Sequence, residues 1–92
     1  MVEVSTVRRL RVLAERDPGV LLRVIERFSN LNIIPDRFSA VCGPGDTIAI
    51  EIEVKDIRAD MCALIVAKIA QLPAVLEALL ENAPLAPELC AR

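Results

Sequence analysis

Residues 15–22 read Glu-Arg-Asp-Pro-Gly-Val-Leu-Leu, ERDPGVLL, and the hydrophobic period changes across them. Before this stretch, residues 7–14 (VRRLRVLA) alternate with a period of two. Leu10, Val12 and Ala14 then share one face of a strand, and Arg9, Arg11 and Leu13 share the other. After it, Leu21, Val24, Ile25 and Phe28 fall at i, i+3, i+4 and i+7, opposite Arg23, Glu26, Arg27 and Asn30. That spacing predicts an amphipathic helix of about three turns. The stretch is therefore a strand-to-helix junction. Asp17 is placed to accept hydrogen bonds from the first free amides of the helix, and Pro18 suits its first position. Asn30 or Asn32 ends the helix, because Asn tolerates the left-handed backbone of a C-terminal turn.

Working outward, residues 33–42 (IIPDRFSAVC) predict a second strand whose proline marks its start or an edge. Residues 43–46 (GPGD) form a hairpin turn. Residues 47–54 (TIAIEIEV) alternate cleanly, with Ile48, Ile50, Ile52 and Val54 on one face and Ala49, Glu51 and Glu53 on the other. A second helix is expected over residues 58–72, with Cys62, Ile65, Ile69 and Leu72 as its stripe. The surplus apolar residues Met61, Leu64 and Val66 suit an oligomer contact. After Pro73, the run AVLEALLEN carries Glu77 and Glu81 at helical spacing. The element order favours a last strand, and a strand is taken. Residues 1–80 are expected to be one domain and residues 81–92 a Pro-containing tail.

The order is βαββαβ. With right-handed crossovers this gives an α+β, ferredoxin-like sandwich, its antiparallel sheet ordered 4-1-3-2 and both helices on one face. The charges provide a check on that order. It places Arg9 and Arg11 of strand one beside Glu51 and Glu53 of strand three, and those beside Arg37 of strand two.

Bulk properties narrow the function. The 92 residues are 54% apolar with two aromatics, carry a net charge of −2 and include no histidine. Without a basic stripe or a Trp/Tyr platform, nucleic-acid binding is not expected. Cys42, Cys62 and Cys90 form no CxxC pair, so neither zinc nor a disulfide framework is expected. No signal peptide or membrane-spanning run is read, and a cytoplasmic location is expected. No metal or other cofactor is implied. An enzyme is not expected either: Ser5, Ser29 and Ser39 lack a general-base partner. Glu51 and Glu53 face arginines, and Gly43, Pro44 and Gly45 lack the remainder of a phosphate loop.

LRVLAERDPGVLLRVIERFSNLNI followed by the Ile-rich hairpin resembles the ACT domain, a βαββαβ regulatory module. Within that group it is most similar to the small regulatory subunit of acetolactate synthase, whose ending is matched by Lys68, Leu72, Val75 and Leu76. The resemblance covers about residues 7–78. It implies a homodimer or higher homo-oligomer that binds an amino-acid effector between two copies and regulates a catalytic-subunit partner. Valine, leucine and isoleucine are the candidate effectors, and branched-chain amino-acid biosynthesis the setting. The implied ligand site comprises Arg16, Asp17, Pro18, Gly19, Val20 and Leu21 of one copy, with Asn32 and Ile34 of another. Backbone amides and the helix dipole there favour a carboxylate. Gly19 permits close approach, and Val20 and Leu21 donate N–H groups or line the pocket. Two positions depart from the small-subunit pattern: Arg16 and Ile34 stand where polar residues, often Asn, are usual. The alternative function is an ACT-like assembly module that holds a partner protein without a small-molecule ligand.

Overall fold

The computed structural model of the protein describes residues 6–84. Strand β1 (Thr6–Glu15) leads into helix α1 (Pro18–Ser29), followed by β2 (Arg37–Cys42), β3 (Thr47–Lys55), α2 (Ala59–Ala70) and β4 (Val75–Pro84). The four strands form one antiparallel sheet in the order β2-β3-β1-β4, which is the expected order read from the other edge. The segment after Pro73 is a strand, as taken from the element order. It runs to Pro84, so the first four residues of the expected tail continue β4, and residues 85–92 lie outside the described residues.

Side chains on one sheet face meet both helices. Leu10, Val12 and Ala14 of β1 and Ile48, Ile50, Ile52 and Val54 of β3 are buried in one cluster with Val20, Val24 and Phe28 of α1 and Cys62, Ile65 and Ile69 of α2. Each fully buried large apolar side chain contributes roughly 1.5–3 kcal/mol relative to exposure, and this cluster is the main stabilising element. The opposite face carries the charges. Arg9 pairs with Glu53 at 3.1 Å and Arg11 with Glu51 at 3.2 Å, in the register expected from the sequence.

Three local expectations are corrected. First, the buried row of α1 is Val20, Val24 and Phe28, while Leu21 is half-buried and Ile25 is 36% exposed. A helix lying on a sheet buries the row directly beneath its axis, and Ile25 falls on its flank. Second, β2 starts at Arg37, later than residue 33. Residues 30–33 are committed to ending α1, and Asp36 ties the chain to β3 through its amide on the Glu53 carbonyl (2.8 Å) and its carboxylate on the Lys55 amide (2.7 Å). Third, α2 spans Ala59–Ala70, shorter at both ends than residues 58–72.

Candidate ligand site at the strand-to-helix loop

The loop between β1 and α1 is fixed by backbone bonds on both sides. The Glu15 amide donates to the Ala74 carbonyl and the Arg16 amide to the Asp46 carbonyl, each at 2.8 Å. Arg16 is thus anchored beside the β2–β3 hairpin. Its guanidinium is half-exposed and lies 3.8 Å from the Asp46 carboxylate. Asp17 takes the extended conformation of an N-cap, and its carboxylate accepts from the Gly19 amide at 3.4 Å. Pro18 is exposed at the start of the helix. Arg23, one turn on, lies 3.7 Å from the Asp17 carboxylate. Two guanidiniums and the positive end of α1 therefore surround the loop, offset by Asp17 and Asp46.

The capping expectation holds, and the residues after the cap divide. Val20 is fully buried, and its amide donates to the Asp17 carbonyl at 2.9 Å. Its side chain belongs to the core and its N–H is already engaged. Leu21 is half-buried against the same core. At Gly19 an added Cβ would meet Arg23 at 3.7 Å and Asp17 at 3.9 Å, which is ordinary contact distance. Packing within the chain does not demand glycine there.

Asn32 and Ile34 lie at the far end of α1. Asn32 adopts φ +61°, the Ile33 amide donates to the Phe28 carbonyl at 2.9 Å and the Asn32 amide to the Ser29 carbonyl at 3.0 Å. This is the paired-bond C-terminal cap that needs a left-handed residue at its corner. Asn32 accordingly occupies the turn, while Asn30 remains right-handed with φ −63°. Ile34 is 87% exposed at a concavity of about 370 Å³ that also involves Ile25, Ser29, Ile33 and Pro35. Sequence reasoning missed Ile25, Ser29 and Pro35 as wall residues. The available signal was the Ile33-Ile34 pair before a proline: two adjacent side chains there cannot both face the core.

The two halves of the expected site stand at opposite ends of a 12-residue helix, about 18 Å apart along its axis. A single chain does not bring them together. The anchoring of Arg16 to Asp46 puts the first half beside the end of β2, whereas residues 32–34 precede its start. The β2 strand is a sheet edge, and all of its residues except the half-buried Phe38 are exposed. Among the described residues, no His, Cys, Asp or Glu cluster has metal-binding geometry, and no helix is long and apolar enough to cross a membrane.

Neither a protein-family model nor a curated protein matches the sequence. Solved structures do match its architecture. The C-terminal domain of the MgtC protein from Mycobacterium tuberculosis superposes with a TM-score of 0.71 at 16% identity, over 90% of this chain and 93% of that one. The ACT domain from GTP pyrophosphokinase of Chlorobium tepidum superposes with a TM-score of 0.68 at 10% identity, over 86% of this chain and 99% of that one. The regulatory subunit of aspartate kinase from Thermus flavus gives 0.62 at 14% identity, over 86% of this chain and 52% of that one. With two helices on one face of a 2-3-1-4 antiparallel sheet, the chain has the ferredoxin-like fold of ACT domains.

Proposed function

We propose that this chain is a regulatory module that binds an amino acid between two copies and passes the occupancy to a partner enzyme. The observation that carries the reading is the placement of the two half-sites at opposite ends of the exposed edge strand β2. When two β2 edges pair antiparallel, the start of one lies beside the end of the other. Residues 32–34 of one copy then approach Arg16, Asp17, Pro18 and Gly19 of its partner. The effector carboxylate meets the helix start and Arg16, which can bind it bidentately, and an aliphatic side chain meets Ile25 and Ile34. Valine, leucine and isoleucine fit that division into polar and apolar ends. The resemblance of ERDPGVLL and of Lys68, Leu72, Val75 and Leu76 to the acetolactate synthase small subunit supports that enzyme as the partner. Regulation then follows from unequal affinity of the effector for two states of the assembly, typically worth about 1–3 kcal/mol.

A second reading, an assembly module without a ligand, is favoured by two observations. The Val20 amide is consumed by the cap, and Arg16 already has Asp46 as a neighbour. Thermal unfolding across a panel of free amino acids at millimolar concentration separates the two. A ligand at 100 times its Kd adds about 2.7 kcal/mol, a rise of several degrees for a domain of this size. A rise with valine, leucine or isoleucine that Gly19→Val removes supports the effector site. A folded, oligomeric protein that responds to none of them leaves the assembly module.

A further inference from the structure

The open sheet face, opposite the helices, bears a pattern that its strand register makes symmetric. Across the four strands, Arg37 lies beside Glu53, Glu53 beside Arg9, and Arg9 beside Glu81. The signs alternate: plus, minus, plus, minus. Farther along the strands, Val41, Ala49 and Leu13 form an exposed apolar row that ends on Glu77 of β4. Leu79, 51% exposed, adjoins it between the charged row and the apolar one.

Consider a two-fold axis that runs parallel to the strands and passes between β3 and β1, above the sheet. It sets β2 against β4 of a second copy and β3 against β1. Every position in the charged row then faces its opposite sign: Arg37 meets Glu81 of the second copy, and Glu53 meets Arg9. Arg11 and Glu51 exchange in the same way, Leu13 meets Ala49, and at the rim Val41 meets Glu77. Moving the axis onto β1 sets Arg9 against Arg9 and Glu53 against Glu81. Turned perpendicular to the strands, the axis sets each charge against its own copy when it crosses the charged row, and sets that row against the apolar one when it crosses Arg11 and Glu51. Of the arrangements in which all four strands overlap, charge complementarity thus favours this one, an aligned packing of two sheets, which is a common geometry.

We propose that a second copy of this chain covers the open sheet face about that axis. The contact is separate from the β2 edge and does not depend on amino-acid binding.

The test measures mass by sedimentation equilibrium over a concentration series, in an Ala40→Pro background that blocks the edge. The Gly43 amide bonds to Thr47 of β3 at 2.9 Å, so odd-numbered β2 amides face β3 and that of Ala40 faces outward. The proline therefore removes no bond to β3. The expected result is a reversible dimer that weakens with salt. Arg37→Glu should raise its dissociation constant by about ten-fold or more through like charges at two symmetry-related contacts. Adding Glu81→Arg should restore association, because the two exchanged charges then face each other across the axis with opposite sign. Within one chain the same double change creates two like-charged neighbours, so an effect confined to the monomer would worsen instead. If Ala40→Pro does not fold, the same charge series in the wild-type chain reads the step from dimer to tetramer. A folded Ala40→Pro protein that is monomeric throughout, or a double variant no better than Arg37→Glu, overturns the proposal and leaves the face to solvent or another protein.

Discussion

At the residue scale, Gly19 allows folding to be tested apart from the proposed binding. A Cβ there meets only ordinary contacts, and glycine in a helix costs about 0.5–1 kcal/mol relative to alanine. Gly19→Ala should therefore leave the urea midpoint equal or higher, while the amino-acid-induced thermal shift becomes smaller. Cys62 offers an independent residue-scale test. It is fully buried, and burial pushes its thiol pKa up, against the weaker opposing pull of Arg8. The neutral form is favoured in the folded chain. The stabilisation is complete below the unfolded thiol's pKa, near 9, and is lost as pH rises toward the folded value. Urea unfolding at pH 7 and pH 10 should show wild-type stability falling between them, and Cys62→Ala should fall by less, from a lower start. Asp17 shows what can be read from a sequence at this scale. Its cap was legible because the need for an acceptor before a helix is local. The burial of Val20 was not, because it depends on the angle at which α1 lies on the sheet.

At the element scale, β4 explains why residues 74–82 read ambiguously. The register shifts between Leu13 and Ala14 of β1, and Leu76 has no partner there. Val75 packs on the core side with Ala14, while Glu77 faces Leu13 on the open side, so alternation breaks after one residue. A bulge disguises a strand by interrupting its period, and the adjacent Glu77 and Glu81 then imitate a helical pair. The β3 strand, without a bulge, was legible residue by residue. Helix α1 is amphipathic enough to make a sharp contrast testable. Phe28→Ala should cost about 3–5 kcal/mol, whereas Leu22→Ala, at a position 61% exposed, should stay within about 0.5 kcal/mol. Chemical denaturation monitored by circular dichroism measures both.

At the scale of the whole molecule, element order was legible because βαββαβ admits few un-knotted, right-handed arrangements, and the Arg9, Glu53 and Arg37 neighbours select among them. The proposed ligand site was legible only as two pieces, since they lie at opposite ends of α1 and one chain does not bring them together. The strand order also has a consequence for how the chain is made. Strand β1 is central, yet its partners β3 and β4 are the third and fourth strands of the described residues. A ribosome releases β1 before either neighbour, at roughly 5–20 residues per second. Strand β1 is thus made well before it is enclosed on both sides. Chains stalled before residue 75 should retain a protease-sensitive β1, and release of residues 75–84 should confer protection on β1 and β4 together.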